Sequence, residues 1–95
     1  MLNEMLQRHR ENIRRIVALH RATNLRIFGS VRRGMDADGS DLDLLVDPLP
    51  VTTLFDLGAI QMELEELIGV AVDVLTPGDL PERFRAEVLR EALPV

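Results

Sequence analysis

Between residues 24 and 48 the chain alternates like a strand twice, and each run is closed by residues that force a turn. Leu25-Arg26-Ile27-Phe28 runs into Gly29-Ser30, Met35-Asp36-Ala37-Asp38-Gly39-Ser40 reads as a loop, and Asp41 to Val46 alternates until Asp47-Pro48 ends it. Such punctuation marks two short strands. Helical spacing surrounds it. From Asn3 to about Arg21, Met5, Leu6, Ile13, Ile16, Val17 and Leu19 recur with arginines largely between them, predicting one amphipathic helix broken at Thr23-Asn24. Ser30 could cap a brief helix that stops at Gly34.

Farther on, Thr52 or Thr53 caps a helix reaching about Ile68, with Asp56 completing a box-like arrangement and Gly69 ending it. Its inward stripe is Leu54, Leu57, Ile60 or Gln61, Leu64, Leu67 and Ile68. Val70 to Leu75 reads as a third strand and Thr76-Pro77-Gly78 as a turn. Pro81 to Leu93 reads as a last helix with Phe84, Val88, Leu89, Ala92 and Leu93 inward. Interleaved helices and strands predict a layered α+β fold, a small mixed sheet of about three strands flanked by helices. Pairing directions stay open at this point.

Ninety-five residues predict a single small domain, 1–95, with room for one core. No apolar run approaches the ~20 residues of a membrane span, and the start lacks a charged leader followed by an apolar block, so a soluble, cytoplasmic protein is expected. The absence of cysteine removes disulfides, thiolate metal sites and a cysteine nucleophile. All basic residues are arginine, which removes a lysine nucleophile of the covalent nucleotidyl-ligase kind. Net charge is -5, but residues 1–35 hold eight Arg against two Glu and residues 36–95 three Arg against fourteen acids, so the chain is dipolar. An acidic chain with three Phe and neither Trp nor Tyr is poorly equipped to track a nucleic-acid backbone or stack bases. Hydrophobic residues reach 46%, high for a domain this small, which predicts that part of the surface meets a partner.

Three aspartates carry the chemistry. Side chains two apart on a strand share a face, so Asp41 and Asp43 lie ~6.6 Å apart along the backbone and can converge on one cation. Asp73 is an isolated charge in Val72-Asp73-Val74, costly to bury unless paired or metal-bound. If its strand neighbours Asp41–Val46, three carboxylates form a hard-oxygen site suited to Mg2+ and phosphate oxygens. The bland alternative is a solvated polar turn. A calcium loop of EF-hand type fails, because placing Gly39 at its turn makes Gly34 the first ligand and Leu45 the last.

Gly29-Ser30 follows a strand, where glycine lets backbone amides approach a phosphate and Ser30 can add its hydroxyl. Arg33, one turn on, is placed to grip phosphate oxygens, and Arg32 is the weaker candidate. His9 and His20 are eleven residues apart on the first helix, too far to share a metal and without a cue linking them to Ser30 or Ser40 as a nucleophile's base. They read as packing or surface residues.

Together, Gly29-Ser30, ten residues, Asp41-Leu42-Asp43 and the later Asp73 resemble the minimal nucleotidyltransferases of the DNA polymerase beta superfamily. The likeness spans most of the chain and includes Arg33-Gly34 and Ser40-Asp41-Leu42-Asp43-Leu44-Leu45-Val46. One departure is Val31, where relatives often carry Arg. The resemblance implies a nucleotidyltransferase fold and Mg2+-dependent transfer of a nucleoside monophosphate, usually from ATP, to a hydroxyl with release of pyrophosphate. It implies Asp41, Asp43 and Asp73 as metal-binding and catalytic residues, with Asp73 helping to deprotonate the acceptor, and Gly29, Ser30, Arg33 and Ser40 as nucleotide-binding residues.

Members this short resemble antitoxins whose partner is a HEPN ribonuclease toxin, adenylylated on tyrosine within a hetero-oligomer. The chain itself argues the same way, since it has no Tyr to accept the group and no room for an acceptor-binding domain. Two alternatives stay open: transfer to a small aminoglycoside-like alcohol, and an antitoxin that acts by binding alone.

Overall fold

The computed structural model describes residues 2–28 and 42–95. In chain order the elements are α1 (Leu2–Arg8), α2 (Arg10–Leu19), β1 (Ala22–Phe28), β2 (Leu42–Pro48), α3 (Leu54–Ile68), β3 (Val72–Leu75), a 3-10 turn (Pro77–Asp79), α4 (Glu82–Glu91) and β4 (Leu93–Pro94). The strands form one mixed sheet in the order β3-β2-β1-β4. β1 is antiparallel to both β2 and β4, whereas β2 and β3 run parallel. α3 supplies the crossover that a parallel pair requires.

The sheet buries both faces, unequally. Ile13 and Val17 of α2 and Ile60, Leu64 and Ile68 of α3 pack on Leu42, Leu44, Val46, Val72 and Val74 to make the main core. The other face carries a smaller core of Phe28, Leu45, Leu80 and Val88, with Phe84 of α4 against it. This explains why Leu44-Leu45-Val46 is an unbroken apolar run: a strand covered on both sides has no solvent-facing position to fill with a polar residue.

Strand β1 begins at Ala22 rather than at Leu25, and Thr23-Asn24 belongs to it instead of separating it from the helix. Register shifts between Thr23 and Arg26, where Asn24 has φ 54, a left-handed conformation that asparagine tolerates better than most side chains. The extra residue resets the alternation. Ala22 and Leu25 both reach the main core, and Arg26 and Phe28 are turned to the opposite face.

The predicted first helix is two, divided at His9, although bonds from the His9 amide to the Met5 carbonyl and from the Ile13 amide to the His9 carbonyl carry the chain through the bend. Leu19 is 71% and Leu54 84% exposed, so neither joins the apolar stripe expected of it. Leu54 opens α3 one turn before Leu57 begins to pack on the core. Between Ile60 and Gln61, the buried residue is Ile60. α4 stops at Glu91 and the chain turns into β4 alongside β1, which adds a fourth strand and leaves Leu93 65% exposed instead of inward; Leu89 is 37% exposed. Among the described residues, no helix is long and apolar enough to cross a membrane.

Both ends of α3 are built as the sequence indicates. The Thr53 side chain accepts from the Asp56 amide, and the Asp56 carboxylate accepts from the Thr53 amide at 2.9 Å. Gly69 ends the helix at φ 84, its amide bonded to the Glu65 carbonyl. A side chain added at Gly69 would meet nothing within 4 Å, so Gly69→Ala carries only the backbone cost of that φ. A loss of about 1 kcal/mol is expected, read by calorimetry as a fall in Tm of about 4–8 °C.

The Thr53 backbone bond holds the Asp56 carboxyl below its ordinary value of 3.8, helped by the Thr53 hydroxyl and by Arg21 and His20 and opposed by desolvation. A depressed carboxylate stabilises the folded state above the unfolded pKa, and the contribution disappears as pH falls through the folded value. Urea titrations are therefore expected to show Asp56→Ala less stable than the native chain at neutral pH, with the gap closing below about pH 4.

Candidate active site

Parallel pairing of β2 with β3 sets Leu42 against Val72, Asp43 against Asp73, Leu44 against Val74 and Leu45 against Leu75. Asp43 and Asp73 are thus lateral neighbours on adjacent strands ~4.8 Å apart, with side chains on the same face. That face is the one bearing Leu45, so the two carboxylates stand at the margin of the smaller core, one residue pair from Leu45 and Leu75. Asp43 is only 7% exposed and Asp73 is partly buried. A divalent cation takes carboxylate oxygens as ligands. Two hard-oxygen donors converging from rigid strands fit such an ion.

Of the predicted site residues, Asp43 and Asp73 are brought together as expected. Gly29, Ser30, Arg33, Ser40 and Asp41 lie outside the described residues. Phe28 pairs directly with Asp43 across β1 and β2, and Leu42 is its neighbour in sequence, so the described residues flanking positions 29–41 both adjoin the site. Among the described residues, no group of three or more His, Cys, Asp or Glu is placed to hold a metal.

A third aspartate on the same face of β2 has a different job. Asp47 accepts from the Arg26 guanidinium at 2.5 Å through Oδ1 and from the Asn24 side-chain amide at 2.9 Å through Oδ2. Arg26 is itself 9% exposed and gives its Nε to the Asn24 carbonyl at 2.9 Å. This pair is not legible in the sequence alone. Its signal is the spacing Asp43, Leu45, Asp47 on one strand face together with Arg26 alternating with Phe28, but pairing needs the antiparallel register that sets Arg26 opposite Leu45.

Both histidines stand apart from the site, as expected. His20 Nε2 lies 2.6 Å from Glu63 Oε2, tying the end of α2 to α3 in the layer on the other side of the sheet from Asp43. Neither histidine belongs with the two aspartates.

The nucleotidyltransferase domain family model matches residues 6–95. A candidate protein adenylyltransferase of Methanocaldococcus jannaschii, MJ0435, is 36% identical over 80 residues, covering 84% of this chain and 86% of that protein. The protein adenylyltransferase MntA of Thermococcus cleftensis is 29% identical over 92 residues, covering 97% and 90%. A solved structure described as a candidate minimal nucleotidyltransferase superposes with a TM-score of 0.79 at 43% identity, covering 97% of this chain and 94% of that one. With two strand aspartates already paired on one sheet face, these likenesses leave a single assignment: the chain belongs to the nucleotidyltransferase domain family and is a minimal nucleotidyltransferase.

Proposed function

We propose that this enzyme transfers AMP from ATP, with Mg2+, to a tyrosine hydroxyl of a HEPN-type ribonuclease toxin, acting in the cytoplasm as the toxin's antitoxin within a hetero-oligomer. The observation that carries the reading is the parallel registration of Asp43, which is buried, with Asp73, which is partly buried, an acidic pair with the donor chemistry of a phosphoryl-transfer site. The names of the relatives favour a protein acceptor over a small alcohol. The 95 residues hold no tyrosine that could itself accept the group.

In this reading Asp43 and Asp73 hold the ion together with Asp41, and Gly29, Ser30, Arg33 and Ser40 bind the nucleotide. Bound Mg2+ would neutralise charge on the triphosphate oxygens. The acceptor oxygen attacks the α-phosphorus, the bond from that phosphorus to the bridging oxygen of pyrophosphate breaks, and the hydroxyl proton passes to the Asp73 carboxylate. Asp43 acts by its position. Held in mid-sheet between β1 and β3, it cannot swing away when substrate is absent, so the geometry is in place before binding.

Incubating the chain with the purified toxin and ATP labelled at the α-phosphate is expected to label the toxin, and chelation of divalent cations to stop it. Asp43→Asn and Asp73→Asn are each expected to lower labelling by roughly 10²-fold or more. Undiminished labelling in both variants overturns the site. Labelling of an aminoglycoside-like alcohol by the chain alone moves the acceptor to small molecules, and neutralisation of the toxin by a chain altered at Asp41, Asp43 and Asp73 makes binding sufficient.

A further inference from the structure

Among the described residues, strand β3 lies at the edge of the sheet, with β2 paired to one of its sides and no strand on the other. Adjacent strand residues direct their backbone groups to opposite sides. The Ala71 carbonyl accepts from the Leu42 amide at 3.2 Å, so Ala71 faces β2 and the Val72 amide faces outward from the sheet. It is met there by a side chain: Glu65 Oε2 accepts from the Val72 amide at 2.9 Å in a partly buried position. The same residue's carbonyl accepts from the Gly69 amide at 2.8 Å. Glu65 thus grips both ends of the short link from α3 to β3, its backbone closing the helix and its side chain opening the strand.

The bond matters because Asp73 is the next residue along the strand. α3 is anchored in the main core by Ile60, Leu64 and Ile68, so a strand tied to Glu65 has its start fixed relative to that core. Displacing β3 by one residue against β2 would move Asp73 to the other face of the sheet. A four-residue edge strand has few ladder bonds with which to resist such a shift.

We propose that Glu65 is a positioning residue for the transfer reaction, a register clamp that holds Asp73 beside Asp43 by binding the outward amide of Val72. The inference rests on the reading of Asp43 and Asp73 as the metal-holding pair, and it adds a residue on the far side of the sheet that touches neither metal nor nucleotide. Glu65→Gln keeps a side-chain carbonyl at the same reach and preserves the clamp. Glu65→Ala removes the acceptor, and Glu65→Asp, one methylene shorter, retains the charge but draws it out of reach.

The test measures hydrogen exchange at the Val72 amide, Mn2+ affinity by electron paramagnetic resonance, and kcat and KM for ATP in the full chain. Expected for Glu65→Ala and Glu65→Asp are Val72 exchange at least about tenfold faster, Mn2+ affinity lowered several-fold, and a fall in kcat with KM for ATP within about twofold. Glu65→Gln is expected to restore all three. Should Glu65→Ala fail to fold, the comparison of Asp with Gln decides. Equal behaviour of Gln and Asp, or Val72 exchange unchanged in Glu65→Asp, overturns the clamp. Faster exchange with unaltered Mn2+ affinity also overturns it, because the bond is then structural alone. If Mn2+ binds but no toxin is labelled, the acceptor assignment has failed while exchange and affinity still judge Glu65. If the native chain binds no Mn2+, the metal-site reading and the positioning role fall together.

Discussion

Everything at the site depends on the parallel register of β2 with β3, and that register is held by apolar contacts rather than by the acids it brings together. Leu42, Leu44, Val72 and Val74 enter the main core from one face of the pair, which obliges Asp43 and Asp73 to share the other. Full burial of each such side chain contributes about 1.5–3 kcal/mol. Burial of these four side chains fixes the register, and the two carboxylates are set side by side as its consequence.

The unequal cover of the two faces sets the surroundings of that pair. α2 and α3 close over the main core, whereas the smaller core is met mainly by α4 and the turn before it, around Phe28, Leu45, Leu80 and Val88. The acids sit at the margin of this smaller core, where apolar neighbours strengthen their field. Farther along the same face, Arg26 and Asn24 engage Asp47, so the aspartate nearer the start of β2 is the one that stands beside Asp73. The bulge in β1 makes this division possible by turning Arg26 and Phe28 toward that face.

Local signals in the sequence translated faithfully where the physics is local. Thr53 with Asp56 starts α3 and Gly69 stops it, because capping needs only residues three or four apart and a left-handed φ needs only glycine's missing side chain. Alternation in Val72-Asp73-Val74 correctly assigned Asp73 to the face opposite the valines. Patterns misled where an element ends by tertiary choice. Leu93 continues a helical spacing, yet the chain leaves the helix to pair with β1, and the added strand bonds decide the matter. Thr23-Asn24 reads as the break after the first helix, but β2 and a bulge make it strand.

By itself, then, the sequence determined which side chains could act and which way each strand aspartate would face, since alternation is a property of the extended backbone alone. It also determined the caps of α3 and the absence of cysteine, lysine and tyrosine chemistry within the chain. Tertiary structure alone decided that β3 lies beside β2, that the two run parallel, that Asp47 is bound by Arg26 while Asp43 neighbours Asp73, and that Glu65 holds the outer amide of β3. Each of these joins residues from separate elements, and no spacing along the chain encodes the register in which burial of the main core sets them together.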